Sequence, residues 1–232
     1  MNDDYEHVTS SWEYTKKLSS YHFDPSLFDP RWDQLQGVGR FNGDWSAELN
    51  EVIKNAKPAT WRTRLKGQRH ETSPMIDAEE QDLINAGANP NLVLLRMQHE
   101  NIPDVFMRMA DMIGFIKPKV RIHVQYPGEV FTQHIDKLAP FSILQKLADQ
   151  DLVKRFVVFL TDWEPGHFYQ FGNQNVQGWR AGDIHTFAWP HVPHSTANAG
   201  LNPRVTLQVT GQITIKTTSF IREAANTTAI KL

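Results

Sequence analysis

Cysteine is absent from the 232-residue chain. Disulfide bonds, thiolate-bound metal ions and a cysteine nucleophile are therefore all excluded. Any bound metal ion must take its ligands from histidine, aspartate, glutamate or backbone oxygen atoms.

Long apolar runs and an excess of basic residues are also absent. No stretch approaches the roughly 20 apolar residues of a membrane-spanning helix, and residues 1–17 lack the apolar core of a signal peptide. Lys and Arg number 24 against 26 Asp and Glu, mixed along the chain, so no basic stripe is present to bind phosphates. We expect a soluble cytoplasmic protein with neither a membrane nor nucleic acid as its partner.

Apolar residues make up 40% of the chain, which is enough for one sizeable core. We therefore expect a single domain over residues 1–232, with three parts. Residues 1–118 form a helical and loop region that buttresses a sheet, residues 119–216 form a β-rich core, and residues 217–232 form a C-terminal tail.

Helical patterns are predicted mainly in the N-terminal part. One helix covers residues 46–56 with Ser46 as its cap, and a second covers residues 77–87, with acidic residues early and a glycine at its end. A third covers residues 103–115, where apolar residues that include methionines recur at helical spacing, which is typical of a core-facing stripe. A further apolar helical insert is predicted over residues 140–152.

Short β-rich runs with period-two alternation follow Pro118, separated by Gly, Pro and Asn. They lack the alternation of strands with helices that a parallel sheet requires, so an antiparallel sandwich or barrel is favoured. The predicted strands are residues 120–126, 131–135, 155–161, 167–171, 183–188 and 205–215.

One of these strands carries a candidate chelating pair. Alternate residues on a strand share a face, so His134 and Asp136 project together, about 7 Å apart along the chain. A third ligand must come from a distant strand, with the candidates His167, His185, His191 and His194. Two imidazoles and one carboxylate leave one side of a metal ion open, as non-haem Fe(II) oxygenases require.

The segment from Gly182 to Thr206 contains a distal histidine, His194. Arg204 follows ten residues later, and Thr206 stands two residues after it. With His134-x-Asp136, this series of residues resembles the Fe(II)- and 2-oxoglutarate-dependent dioxygenases. His194 matches the distal histidine better than His191 does, because it has the ten-residue spacing to Arg204. The resemblance covers about residues 120–212.

The approach to the first histidine, residues 125–136, is most similar to the prolyl hydroxylase branch, with the aspartyl/asparaginyl β-hydroxylase branch as second choice. Phe131 stands where the prolyl hydroxylases usually have a tyrosine, which removes a hydroxyl that contacts the cosubstrate. The resemblance implies cofactor-binding roles for Arg204, Thr206, Tyr126 and Phe131.

The resemblance further implies a mainly β fold with flanking helices, built on a double-stranded β-helix (a cupin-like jelly roll). It implies Fe(II), bound by His134, Asp136 and His194, with 2-oxoglutarate and O₂ as cosubstrates and ascorbate as a candidate additional factor. Arg204 would bind the 5-carboxylate of 2-oxoglutarate, since its guanidinium fork matches a carboxylate, and Thr206 would add a hydrogen bond. The expected reaction hydroxylates a C–H bond of a protein side chain or a small amino-acid-like substrate, releasing succinate and CO₂.

Several other residues have competing interpretations. His191 and His167 are candidates for the pocket mouth or for structural roles. The Asp183-x-His185 pair mirrors the chelating pattern, but turn chemistry explains Asp183 better. The tryptophans are interpreted as packing residues.

Three polar residues share one face of a predicted strand: Arg121, His123 and Gln125. They could contact the substrate or form a solvent-facing side of the strand. The same two interpretations apply to Arg155.

Two other functional classes fit the same fold. A cupin-like metal enzyme would use the barrel without 2-oxoglutarate, but cupins more often supply three histidines and a glutamate, and no such set is evident. A non-catalytic binding module on a degenerate jelly roll is the other class. Fold alone does not separate them, because function lies in the site.

Overall fold

The computed structural model describes residues 35–60, 81, 84–85, 87–136, 152–172, 174–187, 189 and 192–232. The predicted helix at 77–87 and the insert at 140–152 therefore lie largely outside the described residues, and His191 lies wholly outside them.

The described residues form two sheets and three well-defined helices. The helices are α1 (Ser46–Asn55), α2 (Asp104–Ile113) and α3 (Ile215–Asn226). The strands are β1 (Gln36–Asn42), β2 (Lys57–Thr60), β3 (Val93–Gln98), β4 (Ile116–Gln125), β5 (Val130–His134), β6 (Val153–Phe159), β7 (His167–Phe171), β8 (Gln174–Val176), β9 (Asp183–Thr186), β10 (His194–Asn198), β11 (Arg204–Gln212) and β12 (Ile230–Lys231).

Eight strands form the large sheet, in the order β12-β1-β9-β6-β11-β4-β3-β2, and four form the small sheet, in the order β5-β10-β7-β8. From β4 to β11 the chain crosses from one sheet to the other at every connection except the β7–β8 hairpin. All these pairings are antiparallel. This winding is a double-stranded β-helix, or jelly roll, and it confirms the predicted fold class.

At strand β11 both faces of the large sheet are buried. On β11 the apolar residues Val205, Leu207 and Val209 pack with residues of α2 and α3 in one core cluster, which we call the outer core cluster. The alternate residues of β11, among them Arg204 and Thr206, are also buried and face the small sheet. The interior of the barrel therefore receives the polar residues of this strand.

Helix α2 covers the outer face of the large sheet. Phe106, Met109 and Ile113 are fully buried there, which confirms the core interpretation of the methionine stripe. Among the described residues, none of the helices combines the length and the apolar character needed to cross a bilayer.

The N-terminal part differs from the prediction, because its described residues add β1, β2 and β3 to the large sheet rather than forming only helices and loops. Strand β1 was not predicted because it contains Gly37 and Gly39, and glycine has low strand propensity. At α1 the helix begins at Ser46 itself, and Asp44 Oδ1 accepts hydrogen bonds from the backbone N (3.0 Å) and Oγ (2.7 Å) of Ser46.

The C-terminal residues, predicted as a tail, contain α3 and β12. Strand β11 ends at Gln212 instead of residue 215, because Thr214 starts a helix. Its Oγ1 accepts from the Thr217 backbone N at 3.1 Å, and Thr217 Oγ1 accepts from the Thr214 backbone N at 3.1 Å. This reciprocal pair is a capping box.

Candidate metal site

Three of the predicted ligands come together inside the barrel. His134 is the last residue of β5 and lies directly opposite His194, the first residue of β10. Asp136 follows two residues after β5, and its backbone N donates to Trp189 O at 3.1 Å. The Nε2 atom of His194 lies 3.3 Å from Asp136 Oδ2, and that of His134 lies 3.9 Å from Oδ1. One ligand atom from each residue lies within 4.8 Å of the others, so the group can hold a metal ion.

Backbone carbonyls fix the orientation of both imidazole rings. His134 Nδ1 lies 2.8 Å from Thr132 O, and His194 Nδ1 lies 3.0 Å from Val192 O. A carbonyl oxygen only accepts, so each Nδ1 carries a proton, and the Nε2 atom of each ring faces Asp136. This is the arrangement in which backbone groups orient metal-binding histidines.

A β-bulge positions Phe131 beside this group. His134 pairs with His194 and Phe131 with Thr196, so β5 uses one residue more than β10 between the two pairs. The extra residue breaks the simple alternation and brings both Phe131 and His134 to the buried side. Their ring centroids lie 3.9 Å apart, so the Phe131 ring packs against one candidate ligand.

Arg155 on β6 holds the Asp136 carboxylate. Its Nη1 donates to Asp136 Oδ2, and its Nε donates to Thr210 Oγ1 at 2.8 Å. Its guanidinium also lies over the Trp189 ring, 5.3 Å from the centroid. Burial alone would raise the pKa of Asp136, but the charge of Arg155 and the hydrogen bond from His194 hold it well below the usual value. The carboxylate is therefore ionised and fixed in place.

A second buried polar group lies around Arg204. Its Nε donates to Gln125 Oε1 at 3.1 Å, its Nη2 donates to the same oxygen, and its carbon Cζ lies 5.9 Å from the Tyr169 ring centroid. Tyr169 lies directly opposite Thr196 on the neighbouring strand. Arg204 Nη1, Tyr169 Oη and Thr196 Oγ1 are buried and have no hydrogen-bond partner among the described residues.

Burial shifts the protonation equilibria of this second group. It lowers the pKa of Arg204 to about 10, with Tyr169 acting in the opposite direction, and it raises the pKa of the Tyr169 hydroxyl. At neutral pH Arg204 is therefore a buried cation and Tyr169 a neutral hydrogen-bond donor. A buried cation with an unpaired donor is costly unless an anion compensates for it.

The remaining predicted residues occupy different places. Thr206 is buried on the same side of β11 as Arg204, between His123 of β4 and Phe159 of β6. Tyr126 is directed away from the metal-ligand group, because its hydroxyl donates to Ile53 O at 2.8 Å and it packs with the outer core cluster.

The other histidine candidates are held by structural contacts. His167 Nε2 lies 3.1 Å from Asn202 O, and its Nδ1 accepts from the Glu164 backbone N at 3.3 Å. Asp183 accepts from Arg40 Nε at 2.6 Å and from the Arg180 backbone N at 2.8 Å, in keeping with turn chemistry. His185 meets the Phe159 ring edge-on, 5.3 Å between centroids.

Sequence reasoning missed the contributions of Tyr169 and Thr196 and the contact of Arg155 with Asp136. The available signal for Tyr169 was its position two residues from Phe171 on a predicted strand, which places both on one face. Nothing in the sequence pairs that face with Arg204, since the register of β7, β10 and β11 sets this contact.

The fold and this group define a double-stranded β-helix protein with a candidate His-Asp-His metal site. No protein-family model matches the chain, and no curated protein matches it in sequence.

Similar solved structures include an epimerase, a hydroxylase and a cupin. The non-heme α-ketoglutarate-dependent epimerase SnoN from nogalamycin biosynthesis is 13% identical over 81% of this chain and 83% of its own, with a TM-score of 0.44. A prolyl-4-hydroxylase from Pseudomonas putida is 15% identical over 72% of this chain and 98% of its own, with a TM-score of 0.38. A Cupin 2 conserved barrel domain protein from Salinispora arenicola is 14% identical over 57% of this chain and 90% of its own, with a TM-score of 0.31.

Proposed function

We propose that the chain is an Fe(II)- and 2-oxoglutarate-dependent oxygenase that hydroxylates a C–H bond of a protein side chain or a small amino-acid-like substrate. The observation that carries the proposal is the pairing of two sites in one barrel. A His-Asp-His group able to hold a metal ion and a buried arginine with an unpaired donor occupy the same interior. A ligand that chelates a metal at one end and carries a carboxylate at the other matches both.

The donor set suits iron. His134 and His194 offer imidazole Nε2 atoms and Asp136 an ionised oxygen, which is the two-histidine, one-carboxylate set of non-haem Fe(II) oxygenases. When bound, iron and 2-oxoglutarate supply O₂ activation and C–H hydroxylation, with release of succinate and CO₂.

Arg204 suits the distal carboxylate of 2-oxoglutarate. Gln125 engages Nε and Nη2 along one edge of the guanidinium, so the full fork that the sequence suggested is not open to the ligand. Nη1 remains, and Tyr169 Oη and Thr196 Oγ1 supply two further unpaired hydroxyls. A carboxylate bound there would satisfy buried donors that otherwise lack partners. Tyr169 thereby supplies the hydroxyl that Phe131 lacks.

Apolar side chains around the candidate metal ligands limit the access of water. Phe159, Phe171, Phe187 and Trp189 are buried together in a second core cluster, which we call the inner core cluster. Phe187 and Trp189 each meet the His194 ring edge-on. Excluding water strengthens the charged interactions and protects reactive species from side reactions.

The proposal is tested by anaerobic titration of Fe(II) and 2-oxoglutarate into the folded protein. We expect the weak visible metal-to-ligand charge-transfer band of the chelate. We expect Arg204→Ala to lose 2-oxoglutarate binding while keeping its metal affinity, because only the distal carboxylate site is removed.

Two results would count against this assignment. Absence of the band in folded wild-type protein would overturn the proposed function. Unchanged 2-oxoglutarate affinity in Arg204→Ala would show that another residue binds the distal carboxylate. Succinate release also separates this activity from that of a cupin-like metal enzyme that works without 2-oxoglutarate.

A further inference from the structure

Gln125 carries a fully buried amide at the end of β4, directly opposite Arg204 of β11. Its Oε1 accepts two hydrogen bonds from Arg204, one from Nε at 3.1 Å and one from Nη2. Its Nε2 donates to two backbone oxygens, Leu94 O and Thr196 O, each at 3.2 Å. Both hydrogens and both lone pairs of the amide are therefore used, on three different strands.

These hydrogen bonds fix the direction in which the amide faces. In the reversed orientation the hydrogens of Nε2 would meet the donors of Arg204, and Oε1 would meet the carbonyl oxygens of Leu94 and Thr196. Every favourable contact would become a repulsive one. The amide oxygen of Gln125 therefore faces Arg204 in a single arrangement.

The same bonds determine how Arg204 presents its guanidinium. Gln125 holds Nε and Nη2 along one edge, so Nη1 is the nitrogen left without a partner among the described residues. The hydroxyls of Tyr169 and Thr196 are buried and unpartnered as well. Because Gln125 also binds Thr196 O, it connects the guanidinium to the strand that carries one of these hydroxyls.

Gln125 is neutral, so it satisfies two donors of Arg204 without compensating for its charge. Burial lowers the pKa of Arg204 to about 10, and the one group that opposes this shift is Tyr169, with no carboxylate of the described residues contributing. A glutamate of nearly the same shape would form an ion pair with Arg204 instead. The choice of an amide at this position therefore leaves a buried positive charge for a bound anion to match.

We propose that Gln125 is a positioning residue of the cosubstrate site, which directs Nη1 of Arg204 to the distal carboxylate and leaves the charge of Arg204 for that carboxylate to match. This inference rests on the proposed oxygenase function. The site then selects 2-oxo acids that carry a second carboxylate over those that end in an apolar group. Gln125 itself is neither solvent-facing nor in contact with the substrate.

The test compares 2-oxoglutarate with 2-oxopentanoate, which has the same chelating end and a methyl group in place of the distal carboxylate. Each acid is titrated into the anaerobic Fe(II)-loaded protein, and its dissociation constant is measured by calorimetry and by the charge-transfer band. The chelating end contributes equally to both constants, so their ratio reports the distal carboxylate alone. We expect 2-oxoglutarate to bind the wild type about 100-fold more tightly, because hydrogen bonds to a charged group are strong.

Two variants change Gln125 in different ways. Gln125→Glu keeps the shape and supplies a counter-ion to Arg204, so the ratio should fall about 100-fold, to near unity. Gln125→Met keeps the length and removes the bonds that orient Arg204, so the ratio should fall about tenfold. In both variants the affinity for 2-oxopentanoate should stay at the wild-type value, whereas a general structural defect would weaken the binding of both acids.

Gln98→Met is the matched control. Gln98 also donates through Nε2 to two backbone oxygens, Glu100 O at 3.3 Å and Asn101 O at 2.9 Å. It lies opposite Ile122, which packs in the outer core cluster, so it occupies the other face of the sheet from Gln125. The ratio in this variant should equal that of the wild type.

The outcomes separate this inference from the proposed function. An unchanged ratio in both Gln125 variants would overturn the inference alone. Tighter binding of 2-oxoglutarate by Gln125→Met would also overturn it, because Gln125 would then compete with the ligand for Arg204. A wild type that binds neither acid would refute the oxygenase proposal itself.

Discussion

Arg155 links strands β6 and β11 of the large sheet to Asp136, a candidate metal ligand that lies outside both strands. Its backbone oxygen accepts from Thr186 Oγ1 at 2.7 Å and from Trp189 Nε1 at 2.8 Å, while its side chain holds Thr210 and Asp136. Because Asp136 follows the end of β5, no strand pairing holds it. Its backbone N donates to Trp189 O, and Arg155 holds its carboxylate. We infer that Arg155 is a positioning residue for the metal site.

Arg155→Ala should weaken metal binding about 10- to 100-fold, as removal of a partner that orients a metal ligand typically does. Cobalt(II) titration monitored by its visible spectrum measures this loss. Lys154→Ala is the control, because Lys154 is exposed on the same strand. Wild-type metal affinity in Arg155→Ala would show that Asp136 needs no such support.

Tyr169→Phe should have opposite effects on stability and on cosubstrate binding. The ring packs in the inner core, and the phenylalanine ring keeps that packing, while the unpaired buried hydroxyl is removed. The free energy of unfolding without ligand should rise by up to about 1 kcal/mol. Affinity for 2-oxoglutarate should fall about 10- to 100-fold, because a hydrogen bond to a charged group is lost.

Tyr126→Phe provides the matched control for Tyr169→Phe. Its hydroxyl has a partner in Ile53 O, so its loss should cost about 1 kcal/mol of stability. The affinity for 2-oxoglutarate should stay unchanged. Equal loss of affinity in both variants would contradict the separate places that the structure gives these two hydroxyls.

At the scale of elements, the packing of α3 on β1 depends on a glycine. A Cβ atom at Gly39 would lie 2.7 Å from Ala224 Cβ and 3.2 Å from the Ala224 backbone oxygen. Nothing lies within 4 Å of the corresponding position at Gly37 on the same strand. Helix α3 therefore approaches β1 closely at Gly39 but not at Gly37.

Gly39→Ala should destabilise the fold by about 1–3 kcal/mol through overpacking, whereas Gly37→Ala should change stability little. Chemical denaturation of the two variants measures the difference. Ala224→Gly alone should cost about 1 kcal/mol in helix propensity but should partly rescue Gly39→Ala. Additive effects in the double variant would exclude direct contact between the two positions.

At the scale of the whole molecule, the C-terminal residues close the outer core. Phe220 and Ala224 of α3 are buried in the same cluster as α2 and the large sheet, and β12 pairs with β1 in parallel. The region that the sequence suggested as a tail is thus part of the folding unit.

Removal of residues 215–232 should therefore abolish cooperative folding rather than trim a dispensable end. Loss of a sharp thermal transition, measured by circular dichroism, is the expected result. Phe220→Ala in the full chain should lower stability by about 3–5 kcal/mol, as truncation of a buried phenylalanine does. A truncated chain with wild-type melting behaviour would refute this assignment.

Many elements of the β core could be predicted from the sequence, because the alternation of apolar and polar residues along a strand is a local property. The strands β4, β5, β6, β7, β9 and β11 and the helices α1 and α2 were predicted within a few residues of their observed bounds. Strands β1, β2, β3, β8, β10 and β12 and helix α3 were not predicted. Glycines in β1 and a mixture of polar residues in β10 obscure the apolar pattern of these two strands. Their place is set by neighbours that are far away in sequence.

The sequence by itself determined the ligand types, the pairing of His134 with Asp136, and the polar inner face of β11. These features follow from spacing over a few residues of sequence, although Asp136 lies just beyond the end of β5. Only the tertiary structure decided that His194 lies opposite His134, that a bulge turns Phe131 inward, and that Tyr169 accompanies Arg204. These contacts arise from the register between strands distant in the chain, which no short segment encodes.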